Sequence, residues 1–159
     1  FLLKKILKYK EVDILEISEQ REVYFDLICK YISQNTGTCI IIDYGYYDSP
    51  KHFTLQSIFN HKHSNLLDNP GKQDITSYVD FKKLINIAKN YNLKIDLFDN
   101  QKDFLINNGI IERKNKIVQK CNKNQKKIFK SGYKKLIDDE EMGSTFKFLI
   151  FSNISPNVN

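Results

Sequence analysis

The apolar positions of this chain follow two different periods. From 19 to 36 they recur every three to four residues, and Val23, Tyr24, Leu27, Ile28, Tyr31 and Ile32 form one helical stripe. From 38 to 43 the period disappears, and Cys39, Ile40, Ile41 and Ile42 run unbroken into Asp43, Tyr44 and Gly45. An apolar run of that length marks a strand covered on both faces and central in its sheet. Ahead of the helix, VDILEIS (12–18) alternates and is β-branched, which predicts another strand. Ser18 stands where a side chain caps the helix start, and Gly37 where the helix ends. Strand, helix and apolar strand in this order predict an α/β fold.

From Tyr46 to Ile75 no period is sustained, and Asp48-Ser49-Pro50 and Asn69-Pro70-Gly71 favour turns. Residues 46–75 therefore read as a loop insertion, of a length that usually serves function. Asp80 then caps a helix with Phe81, Leu84, Ile85 and Ala88 on one face. LKIDLFD (93–99) alternates as a strand, and Asn100 opens a short helix closed at Gly109. Ile117, Val118, Cys121, Ile128, Phe129, Tyr133, Leu136 and Ile137 predict a single basic amphipathic helix over 112–137. STFKFLIFS (144–152) is the last strand, and 153–159 reads as a flexible tail.

Composition adds limits. A chain of 159 residues with 41% hydrophobic and 28% charged positions suits one globular domain. One Ala, no Trp and an abundance of Lys and Asn indicate an AT-rich coding bias, which discounts the lysine count as a signal. No apolar run approaches the roughly 18–20 residues of a membrane span, so no membrane partner is expected. FLLKKILKYK lacks the cleavage site of a secretory signal, and the absence of an initial Met suggests a fragment or a processed product. Cys29, Cys39 and Cys121 share no ligand spacing and read as free thiols in a reducing compartment. The net charge of +6 is local: ten Lys or Arg against one Glu between 112 and 135 leave the remainder near −3.

Candidate chemistry gathers at three places. Asp43-Tyr44-Gly45 ends a central strand, where α/β sheets collect ligands, although a strand-to-loop turn explains the same residues. Asp74, Thr76 and Asp80 surround a helix start, where they serve either as caps or to hold a cation or guanidinium. His61 and His63 are spaced poorly for zinc, and no metal site is expected. The basic helix reads as a solvated face or as an anion-binding surface. It lacks the interleaved aromatics of a base-stacking surface, which counts against nucleic acid as a partner. Phosphate-cradling glycine loops and nucleophile elbows are absent from the sequence.

Taken in order, IIIDYGY, TLQ (54–56), His61-Lys62, PGKQDITSYVDF (70–81), Gln101, Gly109-Ile110 and MGSTFKFL (142–149) resemble the MidA-like methyltransferases. These depend on S-adenosyl-L-methionine, and their mitochondrial members are complex I assembly arginine methyltransferases. The resemblance runs from about Glu16 to Leu149 and covers only the family's C-terminal half. It implies the last three strands, with their helices, of a Rossmann-like class I methyltransferase sheet. The chain is then one partial domain with its insertion after the DYG strand. The glycine loop that holds the cofactor belongs to a preceding half, so no cofactor-binding residue is assigned. S-adenosyl-L-methionine is expected only with that half as partner. Protein arginine is the implied acceptor, with Asp43, Asp74 and Asp80 as candidate catalytic carboxylates. Tyr44, Gly45, His61, Thr76 and Gln101 are candidate support. A catalytically dead remnant or scaffold acting by protein–protein binding is the alternative, with a nucleic-acid-binding module as a weaker third. The implied compartment is bacterial cytoplasm or mitochondrial matrix.

Overall fold

A computed structural model describes residues 16–154. Twelve elements follow in chain order: α1 (Glu19–Gln34), β1 (Thr38–Tyr46), β2 (Gln56–Phe59), β3 (Lys62–Ser64), β4 (Asp74–Thr76), β5 (Val79–Asp80), α2 (Phe81–Asn90), β6 (Lys94–Asn100), α3 (Gln101–Asn107), α4 (Ile110–Lys120), α5 (Lys123–Ile137) and β7 (Phe146–Ser152). Most of the expected strand at 12–18 and of the tail at 153–159 lies outside the described residues. Glu16, Ile17 and Ser18 are described and are not in a strand.

The main sheet has the order β5-β1-β7-β6. β7 runs antiparallel to both neighbours, pairing Ile41 with Leu149 on one side and Phe98 with Leu149 on the other. β1 and β6 are therefore parallel, and the final strand is inserted between them. The chain reaches β6 from β1 through the insertion, β5 and α2, which supplies the long crossover that parallel strands need. This mixed α/β sheet has the three long strands expected of the C-terminal portion.

The core lies on one face of the sheet. Leu149 and Phe151 of β7 meet Phe25 and Cys29 of α1, Phe81, Leu84, Ile85 and Ala88 of α2, and Val79 and Leu93. Phe25 packs edge-on against Phe151 at 5.4 Å. On the opposite face Phe148 stacks on Phe104 of α3 at 4.0 Å. β1 departs from the expected strand covered on both faces: Cys39 and Ile41 pack on the core, whereas Ile40 and Ile42 on the other face are 56% and 51% exposed, because no described element covers that face of β1.

Three expectations need correction. α1 buries Phe25 and Cys29, while Val23, Tyr24, Leu27, Ile28 and Tyr31 of the predicted core stripe are exposed; only Ile32 packs partly inward. This helix carries two apolar stripes, and the narrower one faces the sheet. Ser18 occupies the helix start but makes no side-chain cap bond. The basic segment is two helices, broken at Cys121-Asn122. There the Asn122 side chain accepts from Gln125 N and the Gln125 side chain accepts from Asn122 N, a reciprocal capping box that starts a new helix. Ile128 is consequently turned outward, 74% exposed.

The insertion is also more ordered than a loop. β2 pairs with both β3 and β4 in a second, three-stranded sheet. Asn60 and His61, with φ of 49° and 61°, form the two-residue hairpin turn between β2 and β3. Strands of three or four residues are too short to display a period, which is why this sheet is invisible in the pattern.

Candidate functional site

β1 delivers Asp43 to the carboxyl end of the sheet. Asp43 lies opposite Lys147, half-buried, and one carboxylate oxygen accepts from the following backbone N–H of Tyr44 at 2.8 Å. Its other oxygen has no hydrogen-bond partner among the described residues. Tyr44 points to the other face of the sheet, where its ring meets Phe146 at 5.6 Å and Tyr78 at 5.7 Å. Gly45 is required by packing: a Cβ there would lie 2.3 Å from the Val79 carbonyl and 2.7 Å from the Phe81 ring. Its smallness lets β5 and α2 close over the end of β1.

Asp80 sits beside this point, its Cα registered with that of Tyr46 across the parallel β1–β5 pair. One Asp80 oxygen accepts from Lys83 N at 3.0 Å and caps α2 as the sequence predicts. Burial, followed by the Asp80 and Glu16 carboxylates, pushes the Tyr46 phenol above its usual range. Three acidic or phenolic groups therefore converge where β1 and β5 end.

Glu16 is the residue that sequence reasoning missed. Its carboxylate accepts from Thr54 N at 2.8 Å, from Leu55 N at 3.0 Å and from the Thr54 hydroxyl. The buried Thr54 hydroxyl accepts in turn from Tyr78 N at 2.9 Å. One turn into α1, Arg21 donates to Tyr78 O at 3.0 Å and Ser77 Oγ at 3.2 Å. Both ends of the insertion are thus fastened to the entrance of α1. A carboxylate interrupting the apolar run Ile14-Leu15-Glu16-Ile17 was the available signal.

The other candidates lie apart from this point. Asp74, Thr76 and His61 belong to the insertion sheet: Asp74 is exposed opposite Ile58, His61 is exposed in the hairpin turn, and Thr76 lies opposite Gln56. The Thr76 hydroxyl is buried without a hydrogen-bond partner among the described residues. Gln101 is buried on the β6 side and donates to the Leu136 carbonyl at 2.8 Å, bracing α5. Nearby, burial lowers the pKa of Lys147, which donates to Asn100 Oδ1 at 2.5 Å and Ser144 O at 2.6 Å. Among the described residues no three His, Cys, Asp or Glu side chains cluster as a metal site.

Residues 2–98 match a family described as "Putative S-adenosyl-L-methionine-dependent methyltransferase". The chain belongs to this methyltransferase family. It is 32% identical over 85% of its length to the mitochondrial protein arginine methyltransferase NDUFAF7 homolog of Drosophila melanogaster. The corresponding human protein is 28% identical over 86% of the chain. The chain spans 31% of the length of each of these two relatives. Two solved structures from Burkholderia thailandensis share its fold at 22% identity. One, uncharacterised, aligns with 95% of this chain and 43% of its own at a TM-score of 0.78. The other, bound to S-adenosyl-homocysteine, aligns with 94% and 41% at 0.75.

The β5–α2 turn (Val79-Asp80-Phe81) and the β6–α3 turn (Asn100-Gln101) contain no glycine. A glycine-rich turn lets backbone N–H groups approach an anionic ligand closely, and neither turn offers that approach. Among the described residues, this portion brings the polar side chains of Asp43, Tyr46, Asp80 and Glu16 to the sheet end. No helix of the described residues is long and apolar enough to cross a membrane.

Proposed function

We propose that this chain acts as the C-terminal part of a protein-arginine N-methyltransferase dependent on S-adenosyl-L-methionine. It works with a glycine-loop half that holds the cofactor, whether that half lies in the same polypeptide or another. The observation that carries the reading is Asp43: a half-buried carboxylate at the end of a central strand, with one oxygen fixed and the other unpartnered among the described residues. A guanidinium is a planar cation with N–H donors in a fork, and a carboxylate of known orientation is its natural holder. Holding it localises its charge and orients one nitrogen. Asp80 adds negative charge from the neighbouring strand, Tyr44 and Gly45 shape the strand end, and Glu16 and Arg21 hold the insertion over it. Asp74 and His61 are exposed on that insertion, where the acceptor protein enters, Thr76 stands two residues on from Asp74 with its hydroxyl buried, and Gln101 braces the far side.

Apolar exposure supports the need for a partner half. Val23, Tyr24, Leu27 and Tyr31 on α1 are 54–67% exposed, and Ile40 and Ile42 on the other sheet face exceed half exposure. The relatives are about three times as long as the chain, and such surfaces are interior in a completed domain. The test is co-expression with the glycine-loop half from the same genome, followed by mass spectrometry for methylated arginine. Methylarginine appears with the wild type and is lost with Asp43→Asn. Methylation that survives Asp43→Asn refutes the role of Asp43, and none with the wild type refutes the activity.

A further inference from the structure

The helical pair α4–α5 has a use that the sheet end does not explain. Arg113, Lys116 and Lys120 of α4 recur at i, i+3 and i+7, and all three are exposed. Lys123, Lys127, Lys130 and Lys134 of α5 recur at i, i+4, i+7 and i+11, also exposed, along about 16 Å of helix. Of these seven cations only Lys134 has a carboxylate partner among the described residues, Asp138 at 3.5 Å. Neither helix has a buried residue. A row of unpaired like charges on a helix destabilises it, so burial of a core does not account for the arrangement.

The polarity changes abruptly where α5 ends. Asp138, Asp139, Glu140 and Glu141 follow at once, and the exposed Glu140 and Glu141 side chains have no ion-pair partner among the described residues. Lys102 ties this acidic turn to α3 through Asp139 at 2.7 Å. α3 itself starts at the carboxyl end of β6, which is parallel to β1. The basic rows and the acidic turn are therefore rooted at the same end of the sheet as Asp43, with β7 between β6 and β1.

A uniform polyanion fits this surface poorly. A nucleic-acid backbone lying along the α5 row would meet four carboxylates at its end, and the aromatics Phe129 and Tyr133 are half-buried rather than offered for stacking. A protein segment with acidic residues followed by a basic one is complementary along its whole length. We propose that α4 and α5 dock the acceptor protein through an acidic segment adjoining its target arginine, with the acidic residues on the lysine rows and the basic end towards Asp138–Glu141. This inference rests on the arginine-methyltransferase reading for its substrate, while its docking surface is measurable without catalysis.

Fluorescence anisotropy of the full chain tests it with three probes at low and high salt. One is a labelled peptide of about eight glutamates, a short spacer and one arginine. The second replaces that arginine by glutamate, and the third is a DNA duplex of similar total charge. The arginine-bearing peptide binds most tightly, with affinity falling steeply as salt rises. The triple variant Lys123→Glu, Lys127→Glu, Lys130→Glu weakens it about tenfold or more, and Glu140→Lys with Glu141→Lys removes the preference for the arginine. DNA binding as tightly as the peptide, equal binding of the two peptides, or an unaffected triple variant overturns the proposal. Methylation by the joined halves at an unchanged KM in the lysine variant refutes the docking alone. Peptide binding without any methylation refutes the activity alone.

Discussion

Two helices pack on the same face of the sheet and end up very differently. α2 buries all four residues of its apolar stripe, Phe81, Leu84, Ile85 and Ala88. α1 buries Phe25 and Cys29 and leaves Val23, Tyr24, Leu27, Ile28 and Tyr31 in solvent. The first is a finished helix, polar where it meets water. The second has an additional apolar side whose exposure brings no stability by itself, and Ile40 and Ile42 repeat the pattern on β1. On the proposed reading, the β7–β6 side of this sheet is covered by its own helices, while the α1–β1 side, with its exposed apolar residues, meets the glycine-loop half.

The largest effect separates the two helices directly. Leu84→Ala removes a buried side chain and costs about 2–5 kcal/mol in denaturant unfolding. Leu27→Ala in the isolated chain costs under about 1 kcal/mol because its side chain is already more than half exposed. Equal losses would abolish the distinction. Next comes Gly45→Ala, where the clash with the Val79 carbonyl costs about 1–3 kcal/mol and lowers the thermal midpoint. Glu16→Gln weakens three hydrogen bonds at the neck of the insertion, each charge-assisted. Proteolysis between 55 and 76 then accelerates while the unfolding midpoint barely moves, because the insertion stands outside the core.

The smallest effect is invisible at neutral pH. Burial foremost pushes the Cys29 thiol from 9.0 up to about 12. The unfolded thiol ionises first, so the stability attached to Cys29 is full below about pH 9 and declines as pH rises towards 12. Denaturation at about pH 8 and about pH 10.5 measures that decline, and Cys29→Ala makes it shallower.

How far the sequence led depended on whether one period dominated. The single stripe of α2 had one interpretation and formed as read, whereas the unbroken run Cys39–Ile42 gave the expected strand but not the expected cover on both faces, since Ile40 and Ile42 are exposed. α1 carried two stripes, Phe25-Cys29-Ile32 and the broader Val23-Leu27-Tyr31 set, and periodicity does not tell which faces this core and which faces something else. α4 and α5 read as one helix because their apolar residues continue across Cys121, while the capping pair Asn122 and Gln125 was overlooked. At the candidate site, Asp43, Gly45 and Asp80 were legible as a strand end and a cap. Glu16 was not, since its partners Thr54 and Leu55 lie nearly forty residues away and only the fold brings them together.

The most direct test of the interface is calorimetric titration of S-adenosyl-homocysteine into this chain, into the glycine-loop half from the same genome, and into the two together. The account predicts that the chain alone takes up no ligand, that the mixture binds, and that Leu27→Lys with Ile42→Lys abolishes binding by the mixture while leaving the circular dichroism of the chain unchanged. Binding by the chain alone, or undiminished binding with the doubly substituted chain, would contradict it.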